Sequence, residues 1–203
     1  MALEDWLRVA ERGSDHEVRE WILTGTTSGK PFTPYVPTLT LPAGLPAVLD
    51  FGCGLGRNFP YLTGLADRVT AFDLPPMIAR CRSGPACPGV TLSDDWEAVR
   101  REPFDLIFAS LVLQHLDTAS MEARLSDFAR MAPLTYLLTR ADSDSGRRVL
   151  DVLGGLRCFD AGECAEVEHD DSTHQLRVIR RMPFDEARRQ AAGHYELLLH
   201  PVG

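Results

Sequence analysis

Lysine is all but missing from this chain of 203 residues: Lys30 stands alone among 21 basic side chains. Positive charge is scarce overall, since the net charge is −8 and the pI is near 5.2. Such a surface repels polyanions unless a strong local basic patch is built into it. The arginines gather only in pairs (Arg100 and Arg101, Arg147 and Arg148, Arg180 and Arg181, Arg188 and Arg189), which is the pattern of a solvated face. No nucleic-acid partner is therefore expected. Cysteine pairing is lacking too: Cys53, Cys81, Cys87, Cys158 and Cys164 include no Cys-x-x-Cys, so neither a familiar zinc spacing nor a disulfide framework is expected. A reduced, cytoplasmic location fits that usage. No apolar run approaches the roughly 18 residues of a membrane span. The opening MALEDWLRVAERG carries acids early and does not read as a secretory signal. Internal repeats and low-complexity segments are absent.

What is present suits one compact domain: 44% of the residues are hydrophobic, enough for a sizeable core. Residues 3–23 carry apolar side chains at helical spacing, and Ser14 with Glu17 reads as a capping box that restarts the helix after Gly13. The next stretch, TGTTSGKPFTPYVPTLTLPAGLP, breaks every periodicity with glycine, threonine and proline, and loops of this length often serve as functional covers. Its GTTSGK is no phosphate loop, because the glycines are too close, Pro31 replaces the hydroxyl residue and no strand precedes it. Residues 1–46 thus read as a helical and proline-rich lid segment, and 47–203 as the core. From AVLDF (47–51) onward, short β-rich runs alternate with helical patterns, among them RVTAFD (68–73), FDLIFAS (104–110) and ASMEARLSDFARM (119–131). Near-continuous apolar strands in a βαβ rhythm imply a parallel sheet covered on both faces. Toward the end, CAEVEH and HQLRVIRR suggest two antiparallel strands, and HYELLLH a final strand. Between those two, His169, Asp170, Asp171 and His174 read as a polar hairpin turn rather than a metal site.

The segment 48-VLDFGCGLGRNFPYL-62 sets a glycine turn between a strand and a helix, the place where open α/β sheets bind ligands. Gly52 and Gly54 would let backbone approach a ligand, and Gly56 would let the next helix pack closely. A dinucleotide fingerprint, Gly-x-Gly-x-x-Gly, requires its third glycine at position 57, which is Arg57. An acid that could accept ribose hydroxyls closes the second strand at Asp73.

Taken in order, VLDFGCGLGR, VTAFDLPPMI and FDLIFASLVLQHL resemble the class I S-adenosylmethionine-dependent methyltransferases of small-molecule type. The resemblance runs from about Val48 to Leu116. It implies a Rossmann-like, doubly wound, seven-stranded sheet, mostly parallel, with an antiparallel last strand. It also implies S-adenosyl-L-methionine as cofactor, with S-adenosyl-L-homocysteine as product. Asp50, Gly52, Cys53, Gly54 and Gly56 would hold the methionine part, Asp73 the ribose, and Leu74 and Met77 would pack near the adenine. Asp94 or Asp95 would reach the adenine amino group, Asp95 being preferred because Trp96 then supplies an apolar neighbour. Ala109 and Ser110 would line the methionine end. The Pro75-Pro76 pair departs from the pattern and implies a late helix start.

A methyl group on a sulfonium is already activated, so the protein chiefly has to place the acceptor in line and remove its proton. His115, past the fourth strand and beside Gln114, is read either as a general base, its ordinary pKa of about 6.5 suiting neutral pH, or as a wall of the pocket. Asp117 orients it or caps the next helix. Trp21, Phe32 and Tyr35 are candidate lid residues. ASLVLQH stands where an Asn/Asp-Pro-Pro-aromatic loop would follow the fourth strand, the single lysine rules out a lysine-rich ribose-methylating tetrad, and no Pro-Cys nucleophile is present. The acceptor left is a small molecule or small peptide, methylated at O, N or C, with O or N favoured, and with neither nucleic acid nor membrane as partner. Two rivals remain: a catalytically silent S-adenosylmethionine-binding partner subunit, and a nicotinamide-dependent oxidoreductase, against which Arg57 and the missing Tyr-x-x-x-Lys pair both speak.

Overall fold

The computed structural model describes residues 3–14, 16–18, 36–170, 175–190 and 192–202. Trp21, Phe32, Tyr35, Asp171 and His174 lie outside the described residues. Helix α1 (Leu3–Arg12) is followed by a helical turn at 16–18 and, from residue 36, by the end of the proline-rich connection. The core then runs β1 (Leu45–Phe51), α2 (Phe59–Leu65), β2 (Ala66–Phe72), α3 (Pro75–Ser83), β3 (Val90–Ser93), α4 (Trp96–Val99) and β4 (Leu106–Ser110). A 3-10 turn (Leu113–His115) leads into α5 (Thr118–Met131), β5 (Thr135–Arg140), α6 (Asp144–Gly155), β6 (Phe159–Asp170), β7 (Gln175–Arg181), α7 (Phe184–Gln190) and β8 (His194–Pro201).

The strands form one sheet in the order β3-β2-β1-β4-β5-β8-β6-β7. β1 to β5 are parallel, β8 runs antiparallel to both β5 and β6, and β7 is antiparallel to β6. The final strand is antiparallel as expected, but the sheet has eight strands rather than seven. Both CAEVEH and HQLRVIRR are strands of it, and the second adds an outer edge. Cross-strand pairs hold that edge: Arg180 meets Glu166 at 2.7 Å and Arg181 meets Glu163. The chain steps outward from β1 through β2 to β3, then returns to place β4 on the other side of β1. That reversal opens a crevice at the carboxyl ends of β1 and β4.

Because successive strand residues point to opposite faces, both layers draw on the same strands. Leu49, Phe51 and Ile107 pack with Met121, Leu125 and Phe128 of α5 and Leu150 of α6. Val48, Leu106, Phe108 and Tyr136 pack with Leu62 of α2 and with Leu39 and Leu41. Burying a side chain of this size contributes about 1.5–3 kcal/mol, so Leu39 and Leu41 alone tie the end of the connection firmly to the sheet. A polar lock adds to them: Glu196, fully buried on β8, accepts from Thr38 N–H at 2.9 Å and from Tyr136 Oη at 2.7 Å.

The amino-terminal end is fastened separately. Ala10 and Val18 pack against Met77 of α3. Arg80, in the last turn of α3, donates through Nε to the Ala10 carbonyl at 2.6 Å and through Nη2 to the Gly13 carbonyl. These are the carbonyls a helix end leaves without an internal partner, and a cation there is also favoured by the helix dipole. Ser14 and Glu17 form the reciprocal capping box, with Glu17 N–H to Ser14 Oγ at 3.2 Å and Ser14 N–H to Glu17 Oε2 at 2.6 Å.

Candidate active site

The glycine loop leaves β1 and bends back at once, Gly52 N–H and Cys53 N–H both donating to the Phe72 carbonyl at the end of β2 (2.8 and 3.1 Å). Gly52 has φ +77°, and a Cβ there would lie 2.3 Å from Val112 Cγ2, so only glycine lets the loop pass this close to the segment after β4. At Gly56 a Cβ would meet the Phe59 ring at 2.3 Å, which is the close approach of α2 expected from the sequence. Asp73 ties the loop to β2: its Oδ2 accepts from Gly54 N–H and its Oδ1 from Leu74 N–H, both at 2.7 Å.

Two carboxyls in this corner are electrostatically perturbed. Burial pushes Asp50 up to about 8; the neighbouring Asp73 adds to the rise, while the Arg57 guanidinium opposes it. Asp73 is pushed up to about 6, again by burial, and the N–H groups of Gly54 and Leu74 pull it back. Asp50 Oδ2 and Ser110 Oγ are buried without a hydrogen-bond partner among the described residues. Cys53 and Cys81 are linked thiol to thiol, a contact that raises Cys53 and lowers Cys81. All five cysteines are free.

Asp73, Arg57, Cys53 and Ser110 border a cavity of about 250 Å³ at the crevice. Of the residues expected from the sequence, Gly52, Cys53, Gly54, Asp73, Leu74, Met77, Ser110 and His115 form its wall. Asp50 and Ala109 lie buried behind it. Gly56 shapes the loop from outside. Asp94 and Asp95 are exposed and off the wall: Asp94 faces Arg82 at 3.9 Å, and Asp95 caps α4 by accepting from Ala98 N–H. Trp96 is buried beside Phe72, its ring centroid 5.1 Å away. Gln114 turns to β5, where its Oε1 accepts from Arg140 N–H. Asp117 caps α5, both of its oxygens being taken by Ser120.

The remaining wall comes from residues that the motif reading did not single out for the site. Trp6 of α1 reaches over the cavity and meets His115 edge to face, with centroids 5.3 Å apart. Arg57, read in the sequence only as an obstacle to dinucleotides, is buried in the wall and acts on Asp50. Leu111 carries φ 57°, an uncommon conformation for a residue with a side chain, and such strain collects at functional sites. Ser120 and Arg124, one turn apart on α5, complete the rim with Leu116. Among the described residues no group of three or more His, Cys, Asp or Glu side chains is arranged to hold a metal ion.

The chemistry of the wall fits S-adenosylmethionine. The cofactor carries an ammonium group that donates hydrogen bonds, and Asp50 Oδ2 and Ser110 Oγ are buried acceptors without a partner among the described residues. Each Asp73 oxygen accepts one N–H here and keeps a second lone pair for a hydroxyl. Phe72, Leu74 and Met77 supply the apolar surface that a base requires.

The family model described as "Methyltransferase domain" matches residues 49–132. No protein of curated function matches the sequence. Among solved structures, the chain is similar to the N-methyltransferase NodS from Bradyrhizobium japonicum WM9 in complex with S-adenosyl-L-homocysteine. That match has a TM-score of 0.56 at 16% identity and covers 79% of this chain and 80% of that one. It is also similar to the magnesium protoporphyrin IX methyltransferase ChlM from Synechocystis PCC 6803 with bound cofactor (TM-score 0.52, 18% identity, 79% and 71% covered). A third similar structure is an rRNA methylase from Streptococcus thermophilus (TM-score 0.53, 15% identity, 79% and 89% covered). Residues 49–132 thus match a methyltransferase domain, and the chain shares its fold with these solved methyltransferases.

Proposed function

We propose that the protein transfers the methyl group of S-adenosylmethionine to an oxygen or nitrogen atom of a small-molecule acceptor, under a lid formed by residues 1–46. The observation that carries this reading is the joining, in one cavity, of the Asp73-tethered glycine loop with His115 held beneath Trp6. Small size is supported by the acidic net charge, which disfavours an RNA acceptor. NodS and ChlM, similar in fold, are named for an N-methyltransferase and a porphyrin methyltransferase activity respectively.

The bound cofactor supplies an electrophilic methyl group. Asp50 and Ser110 hold its methionine end, Asp73 its ribose, and Arg57 keeps Asp50 ionisable by offsetting part of the burial cost. His115 receives the acceptor's proton, while Trp6 excludes water and fixes the imidazole by its edge contact. Asp117 is committed to the α5 cap, and the Trp6 ring packs edge to face on His115.

The test is incubation with S-adenosylmethionine and separate panels of hydroxylated small molecules, amines and ribosomal RNA, read as the mass gain of one methyl. Methylation confined to a small molecule supports the proposal. Methylation of RNA alone, or cofactor binding with no product from any acceptor, contradicts it. In His115→Ala, turnover is expected to fall roughly 100-fold or more, with S-adenosylhomocysteine affinity within about twofold of wild type. Full activity in that variant removes His115 as the base.

A further inference from the structure

The rim of the cavity beyond Asp73 is built differently from the acid-based adenine site expected from the sequence. Asp94 is exposed opposite Arg82, and Asp95 caps α4. In their place, Phe72, the residue before Asp73, meets Trp96 edge to face at 5.1 Å, and the Arg124 guanidinium stacks over the Trp96 ring at 4.5 Å. Arg124 lines the cavity, and its side chain keeps only 31% of its exposure. Buried Asp127 binds both members of the stack, accepting from Trp96 Nε1 at 3.1 Å and from Arg124 Nη1 at 3.4 Å. A guanidinium is planar and has two faces. The indole takes one face, Asp127, which also pairs with Arg130, accepts from its edge, and Arg124 borders the cavity.

We propose that Arg124 is a cofactor-binding residue whose guanidinium stacks on the adenine, and that Asp127 is the positioning residue that holds it flat. The inference rests on reading the cavity as the S-adenosylmethionine site. With the methionine end assigned to Asp50, the glycine loop and Ser110, and the ribose to Asp73, the wall left for the base is Phe72, Leu74 and Met77 with Arg124 at the rim, Trp96 packing against Phe72 and Arg124. A cationic plane over an electron-rich heterocycle replaces the hydrogen bond that an acid would have made to its amino group.

The experiment is calorimetric titration with S-adenosylhomocysteine and with S-ribosylhomocysteine, which has the same ribose and homocysteine but no base. Arg124→Ala is expected to weaken S-adenosylhomocysteine about tenfold and leave S-ribosylhomocysteine within about twofold. Arg124→Lys loses as much as alanine, because an ammonium has no plane to stack. Asp127→Asn weakens S-adenosylhomocysteine on its own but adds nothing in the Arg124→Ala background. Unchanged S-adenosylhomocysteine affinity, equal losses for both ligands, or full rescue by lysine each overturn the role of Arg124 while leaving the cofactor site intact. A wild-type chain that binds neither ligand overturns the cofactor site and this inference together.

Discussion

Asp50 and Asp73 hold their protons more tightly in the folded chain than in the unfolded one, so stability depends on pH with a definite sign. Below about pH 4 both states are protonated and these groups impose no penalty. As pH rises the unfolded chain ionises first, so stability falls until the folded groups ionise too, near pH 6 for Asp73 and near pH 8 for Asp50. A single such proton gives a slope of about 1.4 kcal/mol per pH unit. The ligand-free chain is therefore expected to melt at a lower temperature at pH 8.5 than at pH 6, and Asp50→Asn is expected to flatten most of that difference. Thermal scans across the range decide it; a wild-type profile that is flat or rising with pH contradicts the assignment. At this scale the sequence was most legible where function lies in a contiguous backbone motif. Asp50, the three glycines and Asp73 are named by their place at strand ends. Trp6, Arg57 and Arg124 were not, because which way a helical or loop side chain faces is decided by what packs against it.

α1 is placed by the Ala10–Val18–Met77 cluster, by the Trp6–His115 contact and by the two carbonyls held by Arg80. Removing the guanidinium leaves those carbonyls without their charged donor, at a cost of roughly 1–2 kcal/mol. In Arg80→Met, the α1 amides are expected to exchange hydrogen about tenfold faster while the strands stay protected, and S-adenosylhomocysteine affinity falls as Trp6 leaves the wall. Unchanged exchange across residues 3–12 would show that α1 is held by something else. The element reading itself came close in the parallel half, where period and punctuation agree. It faltered where pairing sets the length. CAEVEH lengthens to β6 (Phe159–Asp170) because β8 pairs along one edge and β7 along the other. α4 is a single turn, Trp96–Val99, with Asp95 as its cap. The eighth strand was visible in the residues themselves and was lost only in the seven-stranded pattern of the resembling family.

In the molecule as a whole, everything that bears on the cavity follows from the reversal of strand order between β1 and β4, which brings the glycine loop, Asp73 and the His115 turn to one edge of the sheet. Around that crevice the chain fastens both ends of its amino-terminal segment, α1 through Arg80 and residues 36–41 through Thr38, Leu39, Leu41 and Glu196. No helix among the described residues is long and apolar enough to cross a membrane. The central claim is that the crevice takes S-adenosylmethionine rather than a dinucleotide. Its most direct measurement is the melting temperature with S-adenosylhomocysteine or NADH, each added at the same concentration. A ligand present at about 100 times its Kd stabilises by about 2.7 kcal/mol, which in a chain of this size raises the midpoint by roughly 5–10 °C. S-adenosylhomocysteine at high micromolar concentration is expected to produce such a shift, NADH to produce little, and Asp73→Ala to abolish it. A clear shift with NADH and none with S-adenosylhomocysteine would contradict the account.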